Sequence, residues 1–327
     1  MPASYRYSKS DAHELIARVP VMFKILEATM SATMDRRKFL QLACYGGAIY
    51  ASGLGLAACS TTGMGKSAES DFFFVQLSDT HWGYGGNANP DARGTLPKAI
   101  AAVNALPVDP DFIVFTGDLT HLSLDGKVRR ERMAEFRDQV AALRVRNIRF
   151  LPGEHDASAD HGEAFREFFG PTHYSFDHKG IHFVALDNVS DPTGSLGDEQ
   201  IAWLEKDLKE RSKDVPIVIL THRPLFDLQP QWGWATKDGA KAIDVLTAYP
   251  RVTVFYGHIH QENQHMTGHI PHYAARSLIF PLPAPGSGPD HAPIHWDTTQ
   301  PYRGLGWREI DAKGSMRSIE EHEHPVV

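Results

Sequence analysis

Cysteine is almost absent from this chain: there are two in 327 residues, Cys44 and Cys59, and none after position 59. A disulfide framework and a thiolate-ligated zinc site are therefore excluded from residues 60–327. No run of lysine and arginine stands out, and the formal net charge is −7, which argues against a general nucleic-acid binder. There is no internal repeat. A phosphate-binding P-loop is missing too. Gly65-Lys66-Ser67 looks like the tail of one, but the earlier glycine position holds Ser60 and no strand precedes it. One stretch, residues 41–58, approaches membrane-spanning length, but its four glycines and its place directly after Arg36-Arg37-Lys38 favour a cleaved signal over a span.

That arrangement of Arg36-Arg37-Lys38-Phe39-Leu40 and a weakly apolar run resembles a twin-arginine export signal. Its end, Leu56-Ala57-Ala58-Cys59, resembles a bacterial lipobox, in which the cysteine is acylated. The expected organisation is an upstream extension at 1–33, with translation starting at Met34, and a signal peptide at 34–59. A small, polar linker at 60–70 and one folded domain at 71–327 follow. The expected location is extracytoplasmic, with membrane anchoring through a lipidated Cys59; the alternative is cleavage at an Ala-x-Ala-like site and a soluble periplasmic or secreted protein.

About two fifths of the chain is hydrophobic, enough for a sizeable core. Short β-branched and aromatic runs predict strands at 72–77, 112–115, 148–151, 215–220 and 252–256. Helical spacing predicts helices at 97–106, 128–143, 163–169, 199–209 and 239–248. Residues 174–176 and 181–186 flank a Lys179-Gly180 turn, a hairpin signal, and the tail predicts strands at 277–282 and 304–310. Strands alternating with helices predict an α/β domain, whose ligands bind beyond the carboxyl ends of the strands.

Histidine is the residue in excess, at 18. In Val254-Phe255-Tyr256-Gly257-His258-Ile259-His260 a buried strand ends at a glycine and two histidines follow. Gly257 is expected to let the backbone turn. If the segment beyond it is extended, His258 and His260 project to one side. The other strands end alike, in Asp79-Thr80-His81, Gly117-Asp118, Gly153-Glu154-His155-Asp156 and Thr221-His222. Singly, each has a bland reading: a turn cap, an Asx-turn, a satisfied loop histidine. Five in succession predict a metal site. Its carboxylate and imidazole donors suit borderline first-row metals such as Mn, Fe, Zn, Ni or Co. Asp79, His81, Asp118, Glu154, His222, His258 and His260 are too many for one tetrahedral ion and fit a pair, which clamps attacking and leaving oxygens in phosphatases and nucleases.

In their order these motifs, D-x-H, G-D, G-x-H-D, H and G-H-x-H, resemble the calcineurin-like metallophosphoesterase superfamily over residues 71–270. In spacing they are nearest to its bacterial cyclic-nucleotide phosphodiesterases. The resemblance implies a four-layer α/β/β/α sandwich. Asp79, His81 and His260 would bind one ion, and Glu154, His222 and His258 the other, with Asp118 bridging. The ions would be divalent or trivalent, Mn, Fe or Zn. A bridging hydroxide would attack phosphorus in line with the leaving oxygen. His155 would act as general acid or charge stabiliser, oriented by Asp156 through its other nitrogen. The superfamily usually carries Asn where this chain has Glu154, so a third carboxylate is expected to hold the second ion more tightly. His121 occupies the place of a metal-bound tyrosine in purple acid phosphatases, and Arg223 is a candidate phosphate contact. Export argues against a role on cytoplasmic cyclic AMP and for phosphate scavenging from monoesters or diesters. The rival reading is a lipid-anchored, non-catalytic protein that binds phosphate or a partner at the metals.

Overall fold

The computed structural model describes residues 71–313 and 318–327. The expected export signal, the lipobox with Cys59, the upstream extension and the linker lie outside the described residues. Among the described residues no helix is long and apolar enough to cross a membrane.

Two mixed sheets carry the fold. The first has the order β11-β10-β1-β2-β3 and the second β4-β5-β6-β7-β9-β8. In the first, β1 (Phe72–Leu77), β2 (Phe112–Thr116) and β3 (Ile148–Leu151) run parallel, and β10 (Gly306–Lys313) and β11 (Ser318–Pro325) complete one edge antiparallel. In the second, β5 (Ile181–Ala185), β6 (Ile217–Leu220), β7 (Val252–Tyr256) and β9 (Ile270–Ala274) are parallel. There β4 (Tyr174–His178) and β8 (Asn263–Thr267) form antiparallel edges.

The period-two alternation of side chains on these strands builds the layers. Phe72, Phe74, Phe112 and Val114 face the second sheet, where Ile181, Phe183, Val218, Leu220 and Phe255 meet them. Phe74 stacks on Phe112 at 4.8 Å and meets Phe183 and Phe255 edge-on at 5.8 and 5.9 Å. The alternate residues Phe73, Val75, Leu77, Ile113 and Phe115 face the opposite way. They pack on α1 (Ala92–Asn104) and α2 (Gly126–Val140) through Leu96, Ile100, Val103, Met133 and Phe136. Val184, Ile217, Ile219 and Val254 pack on α5 (Asp198–Lys209) and α6 (Gly239–Thr247) through Ile201, Leu204, Leu208 and Leu246. The result is the expected α/β/β/α sandwich. Each fully buried phenylalanine contributes about 1.5–3 kcal/mol.

Two short helices, α3 (Glu154–Ala157) and α4 (Glu163–Phe169), follow β3. The expected strand at 277–282 does not form. Those residues cross the end of β1, where Leu278 N donates to Ser78 O at 3.1 Å, so they are apolar because they are covered, not because they pair. The expected strand at 304–310 forms two residues later, as β10. The helix expected at 97–106 begins at Ala92, because Thr95 and Leu96 are already buried and Pro97 is tolerated inside it. The hairpin β8–β9 and the strand β11 were not expected. Asn-Gln-His-Met-Thr and Ser-Ile-Glu-Glu-His-Glu-His-Pro carry too few apolar residues to signal a strand.

Candidate metal centre

The strand ends turn by an uncommon route. Eight non-glycine residues among those described have a left-handed φ, and five of them are Asp79 (53°), His81 (41°), Asp118 (49°), His258 (66°) and His260 (54°). Such a conformation costs about 1–3 kcal/mol per residue and persists only where its surroundings over-determine it. They do here. Asp79 N donates to Gly117 O at 3.0 Å, His81 N to Asp118 O at 2.9 Å, and Gly257 N to His222 O at 3.0 Å. His258 N donates to both Asp79 carboxylate oxygens, at 3.2 and 3.1 Å.

This geometry corrects the expectation for the Gly-His-x-His stretch. Gly257 has no left-handed φ. A Cβ there would stand 2.1 Å from Ser78 Oγ, 2.8 Å from Asp79 Oδ2 and 3.0 Å from Thr116 O. The position needs glycine for space, and the turning is done by the histidines. Since neither histidine is extended, they do not share a side, and each joins a different ligand set.

In the first set, His260 Nε2 lies 3.3 Å from Asp79 Oδ1 and 3.3 Å from His81 Nε2. In the second, His222 Nε2 lies 2.9 Å from Glu154 Oε2, and His258 Nδ1 lies 2.8 Å from Glu154 Oε1. Asp118 Oδ2 belongs to both, 3.3 Å from His81 Nε2 and 3.5 Å from His222 Nε2. The ligand atoms of each triad lie within 4.8 Å of one another.

Backbone carbonyls aim two of these imidazoles. His222 Nδ1 donates to Thr116 O and His260 Nδ1 to Phe280 O, both at 2.7 Å. A carbonyl only accepts, so each Nδ1 carries a hydrogen and Nε2 is the nitrogen left to face the ligand set. Burial raises the pKa of the Asp79 carboxyl, but the facing His260 and His222 imidazoles outweigh it and hold it below its ordinary value. Burial likewise opposes ionisation of Glu154, and His258 and His222 reverse it, leaving it well below the usual range. His81 is driven the other way, well below an ordinary histidine, by burial and by His155 and His260. Burial lowers His222 and His260, but the facing Asp118 and Glu154 charges raise His222 well above an ordinary histidine, and Asp79 raises His260. Buried carboxylates that hold positive charge on the imidazoles around them form a place where a cation is stabilised. His222 Nε2 and Glu154 Oε2 are also buried without an aligned hydrogen-bond partner among the described residues, as expected of donors converging on a third atom. The residues fit a pair of metal ions.

Residues 74–262 match the family model of the calcineurin-like phosphoesterases. The chain belongs to this family. It is a metal-dependent phosphoester hydrolase. It is 28% identical over 243 residues to a Rhodopseudomonas palustris protein described as "Probable cyclic nucleotide phosphodiesterase", covering 67% of this chain and 85% of that one. A Rhodococcus erythropolis protein of the same description is 27% identical over 223 residues, covering 64% and 71%. A dimetal phosphatase from Danio rerio shares the fold with a TM-score of 0.51 at 14% identity, over 78% of this chain and 99% of that chain.

Within this phosphoesterase, His155 stands beside the ligands, its ring 4.5 Å from that of His81. Asp156 does not orient it. The Asp156 carboxylate accepts from Leu119 N (2.9 Å), Thr120 N (2.8 Å), Thr120 Oγ1 (2.9 Å) and Gly153 N (2.9 Å), tying the loop after β2 to the loop after β3. Burial and the Asp118 charge push its carboxyl up to about 7, while the three amide donors favour the ionised form. His155 Nδ1 instead accepts from Leu122 N at 3.1 Å. A carboxylate one residue away in sequence points elsewhere because the two share a helical turn, α3, and leave it in different directions. Arg223 is tied to the neighbouring loop: Nε donates to Trp234 O at 3.1 Å and Nη2 to Gly233 O.

Sequence reasoning missed Phe280, whose carbonyl aims His260 and whose ring packs 4.9 Å from His260 and 5.7 Å from His81. It missed Thr116, which acts through its backbone. It also missed Ser78, whose Oγ donates to Asp79 Oδ2 at 2.5 Å. A backbone carbonyl leaves no mark in a sequence. Ser78, next to Asp79, was readable as a local donor.

Proposed function

We propose that this hydrolase is a dinuclear enzyme that cleaves phosphomonoesters or phosphodiesters by in-line displacement. One observation carries the reading: a single carboxylate oxygen, Asp118 Oδ2, lies within 3.3 and 3.5 Å of one imidazole from each ligand set. When bound, two ions joined in this way acidify a water and neutralise charge on the transferring phosphoryl group. Asp79, His81 and His260 hold one, Glu154, His222 and His258 the other. His155 stabilises charge as it develops, by hydrogen bonding. Its Nδ1 accepts from Leu122 N, so in the neutral ring Nε2 carries the hydrogen and donates to a phosphoryl or leaving-group oxygen. Asp156 keeps the two loops in register beneath it.

The relatives named above favour a diester. The twin-arginine-like and lipobox-like motifs favour a substrate outside the cytoplasm, such as environmental phosphoesters. A lipid-anchored binding role without turnover would use the same donors to hold phosphate, so turnover itself is what separates the two readings. Purified protein loaded with Mn²⁺ is expected to hydrolyse para-nitrophenyl phosphate, its bis ester or both. Activity should disappear with a chelator and return with metal, and the ratio of the two rates reports the ester class. Hydrolysis of neither ester with two ions bound would favour the binding reading instead.

A further inference from the structure

His222 and His260 each place Nδ1 on a backbone carbonyl, whereas His81 places Nδ1 on a side chain, 3.3 Å from His121 Nδ1. His81 Nε2 faces the ligand set, 3.3 Å from Asp118 Oδ2. If Nε2 is to bind a metal, His81 Nδ1 must carry the hydrogen, and His121 Nδ1 must accept it. That assigns the remaining hydrogen of a neutral His121 ring to Nε2, for which no hydrogen bond is made among the described residues. The ring is half-buried, packed edge-on against Tyr84 at 5.1 Å and 4.8 Å from the ring of His155. Its backbone is pinned: His121 N donates to Trp82 O at 2.9 Å, and Arg132 Nη1 donates to His121 O at 2.6 Å. The next residue's N–H holds His155. One rigid loop therefore sets two neighbouring imidazoles, each with a free Nε2–H, beside the metal ligands.

We infer that His121 has two tasks in the hydrolase reading given above: through Nδ1 it fixes the orientation of His81, and through Nε2–H it joins His155 as a second donor to a phosphoryl oxygen. The ligand is a tetrahedral oxyanion, either the phosphoryl group of the ester or the inorganic phosphate that a monoester releases. Two N–H donors on one side of such a group take two of its oxygens, as the charge on them demands.

Three substitutions separate the two nitrogens. His121→Asn keeps an acceptor near the Nδ1 position and loses the outer donor. His121→Gln reaches the Nε2 position with its amide and loses the inner acceptor. His121→Ala loses both. Two readouts need no turnover: Mn²⁺ affinity of the first site by competition with a chelator, and binding of inorganic phosphate to the metal-loaded protein by calorimetry. In the Asn variant, metal affinity is expected to stay within about twofold and phosphate to bind roughly tenfold more weakly. In the Gln variant, metal affinity is expected to fall roughly tenfold, the lower end of the effect of losing a ligand's supporting partner, and phosphate affinity to be largely kept. KM should follow phosphate affinity, and kcat metal affinity. Unchanged phosphate binding in both the Asn and Ala variants would overturn the outer task. Unchanged metal affinity in both the Gln and Ala variants would overturn the inner one. If the Ala variant does not fold, the Asn and Gln pair still decides. A protein that shows these shifts but cleaves no ester would refute the enzymatic reading and leave this one standing.

Discussion

The two halves of the metal centre are built differently. Asp79, His81 and His260 are all buried and all three sit on left-handed backbone; main-chain bonds between the loops lock Asp79 and His81, and the Phe280 carbonyl holds the His260 ring. The other half has one such corner, His258, and takes Glu154 from the first residue of the four-residue helix α3, with 28% of its side chain exposed, and His222 from backbone with no left-handed φ. The first half is fixed by where the chain goes. The second depends on the reach of one long side chain, whose two oxygens each meet one imidazole. Preorganisation comes from backbone in one case and from a charged arm in the other. The second ion is therefore the adjustable one.

Asp118→Asn should affect both halves at once and have the largest effect. Loss of the shared carboxylate is expected to lower kcat/KM by roughly 10³-fold, on the order of 4 kcal/mol. It should also reduce bound metal below two per chain, measured by elemental analysis. Two ions retained at parental affinity would end the bridging account. Gly257→Ala should break the first half selectively. Its Cβ, 2.1 Å from Ser78 Oγ, forces Asp79 to move. The expected cost is about 3 kcal/mol of stability, read by thermal denaturation, with the first ion lost before the second. Glu154→Asn should weaken only the second half. Removing a charge that faces both His222 and His258 is expected to raise that ion's dissociation constant roughly tenfold, about 1.4 kcal/mol, with the first ion unaffected. An equal change at both ions would show that the halves are one unit.

The smallest effect belongs to a buried imidazole outside both halves. His272 is fully buried and neither ring nitrogen has a partner among the described residues. Burial, helped by the facing His265, pushes it down to about 4 from 6.5. A lowered histidine pKa favours the folded state above 6.5, and that advantage is lost as pH falls toward 4, because the unfolded chain takes up the proton first. Between pH 7.5 and 6 the loss is about 1 kcal/mol. His272→Leu should flatten this part of the stability curve, measured by denaturant titration at the two pH values. The contrast with His222 and His260 is that burial alone makes a histidine neutral and inert, and a carbonyl behind it makes it a ligand.

The gathering of seven side chains at one end of the strands was legible because apolar runs mark strands and the polar residues after them mark a common edge. The division between two ligand sets was not legible from alternation. His258 and His260 part company through positive φ at both residues, and no histidine announces that in a sequence. Asp156 was misread because adjacency along a chain says nothing about direction once a helical turn intervenes. The strands β8 and β11 escaped because they are edges, and edge strands need no apolar face to pair.

The left-handed turns carry one more consequence. Of all side chains other than glycine's, those of Asn and Asp bear that conformation most easily. Asparagine at position 79 or 118 therefore keeps the backbone path while surrendering a charge. A lineage starting from this chain can silence its chemistry by one such exchange and inherit the scaffold intact, whereas a β-branched residue at the same corner would take the scaffold down with the site.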